Sequence, residues 1–309
     1  MPKNNMFPPE GLLTAPVPMD LQDAMEQGTV LEGIPQRCDT SHALHFDLGG
    51  IHGYLPREAA TAPWISGADR EIALISRVGQ PTCFTVKSIF ADEKGAPQAL
   101  LSRREPQEAA MAFFLRHLVP GDVLRCRVTH LEPFGAFLDI GRGIIALLPL
   151  KAISVSRIPH PAARFRVGQT ILAAVQSIDK DRRRITMTHR ELLGTWMENA
   201  SRFRVGETVQ GIVRSIQEYG SFIELTPNLS GLTDTTEGLH SGDGVSVYIK
   251  SIRPERMKIK LQIIQTLPPV LDPAPLAYQI TDGTLKRWVY SPPGYEKEPV
   301  ETVFKEAGS

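Results

Sequence analysis

The sequence predicts a mainly β protein assembled from copies of one small module, with short helices between the copies. Residues 119–140 read VPGDVLRCRVTHLEPFGAFLDI, and residues 205–225 repeat this pattern as VGETVQGIVRSIQEYGSFIEL, at an offset of 85 positions. Both stretches alternate apolar and polar residues, which is typical of strands with one buried face. Because repetition at a fixed offset is the signature of a modular array, one repeated module is expected to carry the function.

Each copy contains a corner in which an aromatic residue is followed by glycine, a small residue and phenylalanine. The two corners begin at Phe134 and Tyr219 and end at Phe137 and Phe222. Alternation puts Phe137 on the same face as Asp139, and a large ring beside a carboxylate is not expected in a core. The glycine is expected to form a bulge or turn that lets both rings point the same way. Packing of the rings against a neighbouring loop is the alternative, but the recurrence favours an exposed aromatic surface.

Cations are expected around these rings. Arg125 and Arg127 lie on the polar side of the preceding strand, where they would flank the exposed ring. Residues 165–190 read as a strand, a turn rich in Asp and Arg, and a return strand, and residues 241–261 repeat that pattern. The connection in the middle of the module is 11 residues shorter in the later copy, which predicts a surface loop.

The whole pattern resembles the S1-type OB fold of the bacterial ribosomal protein S1 family. The features that carry the resemblance are the glycine-acid opening, the aromatic corner, a final hairpin with Asp-x-x-Arg-Arg-Arg-Ile, and modules joined end to end. It covers residues 118–190 closely, 203–261 well and 25–104 loosely. The resemblance implies tandem five-stranded barrels that bind single-stranded nucleic acid across strands two and three.

The resemblance also implies which residues bind RNA. The family's stacking rings fall on the two aromatic corners, and its final-hairpin Asp and Arg fall on Asp179 and Arg184. The expected RNA-binding residues are Phe134, Phe137, Arg125, Arg127, Asp179, Arg183, Arg184, Tyr219, Phe222 and Lys258. The family often has a histidine after strand three, where this chain has Pro149 and Asp234, and Arg253 replaces the hairpin Asp in the last module. Because Asp234 should repel phosphate, the last module is expected to bind RNA more weakly.

Charge is distributed unevenly along the chain. Lys and Arg total 34 and Asp and Glu total 34, so bulk charge does not indicate a partner. Residues 118–191 carry 12 basic and 6 acidic residues, residues 21–110 carry 8 and 12, and residues 202–261 carry 8 and 7. Only the central module therefore has the positive charge expected of a phosphate-binding surface.

The sequence divides into seven expected segments. They are a flexible arm (1–20), a degenerate S1-like module without the aromatic corner (21–105), a linker helix (106–117), the basic S1 module (118–190), a second linker helix (191–202), a third module (203–264), and a Pro-rich spacer with a β-hairpin tail (265–309). The hairpin is expected to turn at Asp282-Gly283, and Leu285, Trp288 and Tyr290 are expected to dock it on the last barrel.

Cysteine and histidine usage indicates neither disulfides nor a metal. The cysteines Cys38, Cys83 and Cys126 are odd in number and far apart, which is typical of a reduced, cytoplasmic protein. Cys38 lies near three histidines, but His42 and His45 should face opposite sides of a strand and cannot converge on one ion. No apolar run reaches membrane-spanning length, so no membrane association is expected.

Catalytic motifs are also absent from the sequence. There is no phosphate loop, no Gly-x-Ser-x-Gly, no His-Glu-x-x-His, and no paired carboxylates for acid–base chemistry. We therefore expect a monomeric, non-catalytic protein without cofactors that binds single-stranded RNA. The resemblance implies a role in translation, with mRNA and the small ribosomal subunit as partners. The alternatives are an S1-domain adaptor that binds proteins in RNA decay or ribosome-associated regulation, and an accessory RNA-binding subunit of a nuclease.

Overall fold

Three β units follow one another in the computed structural model of the protein, which describes residues 3–13, 20–64, 68–270, 272 and 275–305. The first unit is an open sheet, and the other two are closed five-stranded barrels. The predicted fold class, mainly β with tandem barrels joined by short helices, is confirmed. The first unit differs from the prediction because its sheet does not close.

The first unit opens with helix α1 (Leu21–Glu26). Its strands are β1 (Leu31–Gly33), β2 (Arg37–Cys38), β3 (Leu44–Asp47), β4 (His52–Leu55), β5 (Thr82–Ala91) and β6 (Pro97–Ser102), and helices α2 (Arg57–Ala60) and α3 (Ala68–Ile75) lie between β4 and β5. The strand order is β1-β5-β6-β4-β3-β2, so β1 and β2 occupy opposite edges although they are neighbours in sequence. Pro35 lies between them and cannot donate to a strand ladder, which explains why the opening strand is broken here.

Helix α4 (Arg104–His117) joins the first unit to the central barrel. Acidic residues at its start and basic residues at its end predict this helix from the sequence. Its side chains Met111 and Phe114 are buried in the same core as Leu124 and Leu138 of the barrel. The joint is therefore packed into the barrel.

The central barrel follows the predicted alternation of buried and outward residues. Its strands are β7 (Val123–Glu132), β8 (Gly135–Asp139), β9 (Ile145–Pro149), β10 (Thr170–Asp179) and β11 (Arg184–Thr188). They close in the order β10-β11-β9-β8-β7, with β9 and β11 parallel. Leu124, Cys126 and Val128 from β7 and Ala136 and Leu138 from β8 point into the core.

The last barrel has the same topology. Its strands are β12 (Thr208–Gln217), β13 (Gly220–Thr226), β14 (Leu229–Thr233), β15 (Gly244–Arg253) and β16 (Lys258–Leu267), with β14 and β16 parallel. A 3₁₀ turn (Arg190–Leu193) and helix α5 (Trp196–Ala200) precede it. Leu192, Trp196 and Ala200 pack into the core of this barrel, as their helical spacing predicts. A capping box between Thr195 and Glu198 fixes the start of α5.

The N-terminal segment, residues 3–13, packs against the rest of the protein, so the prediction of a flexible arm is wrong for these residues. The Asn4 side chain accepts from the backbone N–H of Arg125 and donates to its carbonyl, which fixes this segment to β7. Glu10 is buried and forms an ion pair with Arg103, with its carboxylate oxygens 2.7 and 2.8 Å from Nε and Nη2. A short segment with two consecutive prolines and no helical or strand periodicity gives no sequence signal for such docking.

The C-terminal segment contains the expected two-stranded hairpin, but at a different position. Strand β17 (Arg287–Val289) pairs with β18 (Glu301–Val303), and no pairing forms across Asp282-Gly283. Instead, Thr284 forms an isolated bridge with Asp122 beside β7, and the carbonyl of Gly283 accepts from Val123. The segment therefore contacts the central barrel as well as the last one.

Three apolar side chains anchor this segment, as predicted. Leu285, Trp288 and Tyr290 are buried in the core of the last barrel, together with Val123 and Ala174 of the central barrel. The C-terminal segment thus holds the two barrels against each other. They are packed together and are not connected by the short linker alone. Within the described residues, no helix has the length and apolar character needed to cross a membrane.

Candidate nucleic-acid interface

The strand register of the central barrel places one row of side chains across its outward surface. Phe137 on β8 pairs with His130 on β7 and with Leu147 on β9, Leu147 pairs with Thr186 on β11, and Thr186 pairs with Ser177 on β10. Residues that pair directly across strands point to the same face of a sheet. We call these five residues the ring row of the central barrel. Phe137 is half-buried in this row and His130 is exposed.

Phe134 stands next to the ring row at the turn between β7 and β8. Its side chain is 59% exposed. The ring centroids of Phe134 and Phe137 are 6.0 Å apart, and the ring planes are nearly perpendicular at 89°. A base that stacks on one ring would therefore meet the edge of the other, an arrangement that aromatic systems favour. The predicted pair of rings is present, but the two ring planes are nearly perpendicular and do not form one flat surface.

Gly135 serves a different purpose from the predicted bulge or turn. A Cβ atom at this position would lie 2.5 Å from the carbonyl oxygen of Leu148 on β9. The equivalent Gly220 has a φ of +144°, and a Cβ there would lie 2.2 Å from the carbonyl oxygen of Thr233. The glycine is required by the close approach of the third strand, while the ladder irregularity lies between Val128 and His130.

The last barrel repeats this arrangement. Its row contains Ser215, Phe222, Leu232, Lys260 and Ser251, joined by the same pairings. Tyr219 is 67% exposed, and its ring centroid lies 6.3 Å from that of Phe222 at an interplanar angle of 88°. Lys260 occupies the row position held by Thr186 in the central barrel, so a cation lies closer to the ring here than the sequence-selected Lys258. Counting the 74-residue offset between the final hairpins identifies Lys260.

Arg125 and Arg127 do not flank the rings, contrary to the prediction. Arg127 on β7 lies opposite Asp139 on β8 in the strand register. The Nη1 of Arg127 donates to the Glu10 carbonyl at 3.0 Å, so the N-terminal segment covers this side chain. Arg125 is exposed but lies five positions before His130 on β7, roughly 15 Å along a strand. The docked segment and the strand length together separate these cations from the ring row.

The prediction that Asp139 is exposed beside Phe137 is also wrong. Asp139 is 2% exposed, and its carboxylate accepts from the backbone N–H groups of Glu10, Gly141 and Gly143. Burial, together with the neighbouring Glu10 carboxylate, raises the pKa of Asp139 above its usual range. The alternation correctly put this residue outside the barrel core, but the N-terminal segment covers that part of the outward face.

The final hairpin of the central barrel presents Arg184 beside the row. Asp179 on β10 lies opposite Arg184 on β11 in the strand register, but its Oδ1 accepts from the Arg182 backbone N–H. Arg183 lies in the turn with a φ of +52°. Arg184 is exposed on the strand that carries Thr186, and within the described residues it forms no ion pair. Arg184 is therefore available to a phosphate.

In the last barrel, Lys258 lies directly opposite Arg253, and both are exposed. Two like charges at this position replace the Asp179–Arg184 pair. Asp234 is exposed just beyond β14, where the sequence predicts that it opposes phosphate. The last barrel therefore carries both the negative charge of Asp234 and the positive charges of Arg253 and Lys258.

The first unit carries a different set of rings at the equivalent register, and the sequence analysis missed them. His45 on β3 pairs with Tyr54 on β4, as Phe137 pairs with Leu147. The rings of His45 and Tyr54 are 5.6 Å apart at 64°, and the ring of His52 stacks on His45 at 5.1 Å. None of the three lies in the stretch that replaces the aromatic corner, so a search for that corner does not find them.

The contacts of these histidines are relevant to whether the first unit could bind a metal ion. His45 Nδ1 lies 2.9 Å from His52 Nε2, and its Nε2 lies 2.8 Å from Asp39 Oδ2, so both ring nitrogens have protein partners. Hydrogen bonds from Ser41 and His45 hold the pKa of Asp39 below its usual range. Cys38 hydrogen-bonds to the carbonyl of Asp39. Among the described residues, no group of three or more His, Cys, Asp or Glu side chains has an arrangement that could hold a metal.

The central barrel matches a known protein family. Residues 118–190 match the family described as S1 RNA binding domain. This range contains all five strands of the barrel and ends just after β11. The resemblance to the S1 family inferred from the sequence is confirmed for this part of the chain.

Curated proteins that resemble the chain include bacterial ribosomal proteins. The small ribosomal subunit protein bS1 of Staphylococcus aureus (strain N315) is 30% identical over 187 residues, which is 55% of this chain and 48% of that protein. The bS1 protein of Staphylococcus haemolyticus (strain JCSC1435) is 31% identical over 187 residues, which is 55% of this chain and 47% of that protein. The match thus spans about half the length of these relatives.

Solved structures show weaker likeness. A multidomain protein with nucleic acid binding domains from Streptococcus pneumoniae TIGR4 is 13% identical with a TM-score of 0.26, and the match covers 76% of this chain and 73% of that chain. GSP13 from Bacillus subtilis is 20% identical with a TM-score of 0.23, covering 24% and 56%. These scores are too low to bear on function.

Proposed function

We propose that this protein, whose residues 118–190 are an S1 RNA-binding domain, binds single-stranded RNA without catalysis at the ring rows of its central and last barrels. The observation that carries the proposal is the recurrence of one ring geometry. Phe134 with Phe137 and Tyr219 with Phe222 form near-perpendicular pairs at the same register of two consecutive barrels. Rings that served packing alone would be buried, whereas the outer ring of each pair is exposed.

Aromatic side chains beside a cationic surface are suited to single strands. Each unstacked base has a flat face that stacks on a ring with little regard to sequence, while the cations neutralise phosphates. The basic character of residues 118–191, with 12 basic and 6 acidic residues, supports the central barrel as the main contributor. Arg184 and Lys260 are the cations that we place nearest the bound strand, because Arg184 lies two positions from Thr186 of the central row and Lys260 belongs to the row of the last barrel.

The similarity to bS1 proteins supports RNA binding related to translation. We propose that the RNA is mRNA, that the protein contacts the small ribosomal subunit, and that it acts as a cytoplasmic monomer. The seven-segment division inferred from the sequence is part of this proposal, with residues 3–13 reassigned to the packed body of the protein. The net acidic first unit, with 8 basic and 12 acidic residues over 21–110, favours a protein-docking role for that unit.

Filter binding tests the RNA-binding proposal. Phe137→Ala should weaken binding of an oligouridylate by roughly 5-fold to 150-fold, because stacking a base on a ring is worth roughly 1 to 3 kcal/mol. Tyr248→Ala is a matched control, since Tyr248 is an exposed aromatic on β15 outside the ring row. Equal affinities for wild type and both variants would rule out the ring row as the binding surface.

Co-sedimentation with ribosomes distinguishes the proposal from the adaptor alternative. If RNA binding recruits the protein to ribosomes loaded with mRNA, Phe137→Ala should reduce both RNA binding and co-sedimentation. An adaptor that binds ribosomal proteins directly should keep its co-sedimentation in the same variant. The second result, combined with unchanged RNA affinity, would favour the adaptor.

A further inference from the structure

The long connection of the central barrel, residues 150–169, contacts the last barrel. We call it the bridging loop. The Val155 N–H donates to Asn228 Oδ1 at 3.0 Å, and the Ser156 N–H donates to the Pro227 carbonyl at 3.0 Å. The hydroxyls of Ser156 and Ser230 lie 2.7 Å apart. The sequence predicts an exposed surface loop here, and the insertion instead makes specific hydrogen bonds with the next module.

A buried ion network fixes the bridging loop in place. Arg164 from the loop pairs with Glu224 on β13, and Arg214 on β12 donates to the same carboxylate at 2.8 and 3.1 Å. The side chains of Arg164 and Glu224 are almost fully buried. Because a buried carboxylate is stable as an ion only with such partners, the loop and the last barrel hold one relative position.

A cleft of about 490 Å³ lies between the bridging loop and the ring pair of the last barrel. Its walls include Ser156 and Arg157 from the loop, Tyr219 and Phe222 from the ring pair, Trp196 from α5 and Tyr290 from the C-terminal segment. Four separate parts of the chain therefore build it. This volume lies within the range of roughly 300 to 1,000 Å³ that is typical of small-molecule and cofactor sites.

The chemistry of the walls suits one nucleotide. Phe222 and Tyr219 offer ring faces and edges for a base, and the Ser215 and Gln217 side chains provide hydrogen-bonding groups at the same wall. Arg157 is exposed at the cleft and makes no hydrogen bond or ion pair within the part of the chain that the structure describes. A guanidinium beside aromatic rings is a group that can bind the phosphate of a nucleotide whose base contacts those rings. Arg214, in contrast, is held by Glu224.

We propose that the bridging loop and the ring pair of the last barrel form a composite pocket for one nucleotide of the bound RNA, with its base at Phe222 and Tyr219 and its phosphate at Arg157. This proposal rests on the RNA-binding function proposed above and extends it. The last barrel then depends on a cation from the central barrel for its phosphate contact. That contact offsets the repulsion expected from Asp234, and the walls of the cleft select for base size where a flat ring row does not.

The test uses the full chain in a Phe137→Ala background, which reduces the contribution of the central barrel to RNA binding. Affinity for a single-stranded oligouridylate is measured by filter binding for Arg157→Ala and for Arg116→Ala. Both variants remove one exposed arginine, but Arg116 lies on α4 away from the cleft. Arg157→Ala should weaken binding roughly 10-fold, as expected for loss of a charge-assisted hydrogen bond to phosphate. Arg116→Ala should stay within about 2-fold, because it removes only long-range attraction.

Base selectivity provides a second readout. Replacing oligouridylate by oligoadenylate should change the affinity of the Phe137→Ala protein several-fold, and Arg157→Ala should lower both affinities alike, since it contacts phosphate. If Arg157→Ala matches Arg116→Ala while Tyr219→Ala loses RNA binding, the composite pocket is wrong and the proposed function stands. If RNA binding is unchanged by Phe137→Ala, Tyr219→Ala and Arg157→Ala together, both proposals are wrong.

Discussion

The guanidinium of Arg183 lies over the indole ring of Trp64, with 5.0 Å between its central carbon and the ring centroid. Trp64 belongs to the first unit and also packs against the core of the central barrel. Arg183 and its neighbour Arg184 are therefore different in kind, although the sequence presents them as adjacent members of one basic run. The former contacts another module, and the latter has no ion-pair partner among the residues that the structure describes.

Neutralising Arg184 should weaken RNA binding about equally for all sequences, because it removes a phosphate contact. The slope of log affinity against log salt should become shallower by roughly 0.7, the value for one contact on a single strand. Arg183→Ala, the adjacent control, should leave that slope unchanged because its cation is engaged by Trp64. Salt titrations of filter binding measure both slopes. A larger slope change in Arg183→Ala than in Arg184→Ala would reverse the assignment.

Phe137 and Leu138 are adjacent on β8 but face opposite sides of it. Phe137→Ala should reduce RNA affinity while the protein melts close to wild type, because its ring is half-buried on the outward surface. Leu138 is fully buried, so Leu138→Ala should cost roughly 2 to 5 kcal/mol of unfolding free energy. Thermal melts and filter binding separate the two effects. If Phe137→Ala destabilises as much as Leu138→Ala, the ring belongs to the core.

The packed N-terminal segment predicts a large effect of one acidic residue. Burial alone would raise the pKa of Glu10, but Arg103 and Arg77 lower it to about 2, so the carboxylate is ionised at neutral pH. Glu10→Ala leaves Arg103 buried without its partner, which should cost roughly 3 to 5 kcal/mol. Glu108→Ala breaks the exposed pair with Arg104 and should cost less than about 0.5 kcal/mol. Urea titrations of both variants measure this; equal stabilities would mean that residues 3–13 do not dock.

His189 makes the stability of the central barrel depend on pH. Burial lowers its pKa to about 4, and it bridges the Ile153 carbonyl and the Tyr278 hydroxyl. The folded state therefore excludes a proton that the unfolded chain binds below about pH 6.5. The contribution of neutral His189 to the free energy of unfolding is fully present above pH 6.5 and is lost as pH falls toward 4.

Between pH 7 and pH 5, this residue alone should lower the free energy of unfolding by about 2 kcal/mol. Urea titrations at the two pH values should show that His189→Gln loses most of this dependence. His240→Gln is the control, since His240 is exposed and its replacement should leave the dependence intact. An unchanged dependence in His189→Gln would assign the effect to other groups.

The first unit is expected to add little to RNA affinity. Its rings at His45 and Tyr54 contact each other and are half-buried, and its surroundings are net acidic. The full-length variant His45→Ala/Tyr54→Ala should keep RNA affinity within a few-fold and weaken ribosome co-sedimentation instead. A truncation is unsuitable because Trp64 and residues 3–13 pack on the central barrel. A 10-fold loss of RNA affinity in this double variant would give the first unit a ring row of its own.

The sequence by itself determined the features that depend on neighbours a few positions apart or on comparison between copies. Alternation identified the inward residues of β7 and β8, and recurrence identified the ring pairs as facing outward, because strand geometry imposes both locally. The fold class follows from the same local patterns, and the match of residues 118–190 to the S1 RNA binding domain family agrees with the resemblance of their motifs to that family. These predictions needed no knowledge of how the modules pack together.

Only the tertiary structure decided which parts of those outward faces stay open. Asn4 reaches Arg125 across 121 positions, Tyr278 reaches His189 across 89, and Ser156 reaches Ser230 across 74. Such contacts covered Arg127 and Asp139 and turned an expected surface loop into one wall of a cleft. Periodicity reports the direction of a side chain relative to its own strand, whereas burial on the outward side is set by segments that arrive from distant parts of the chain.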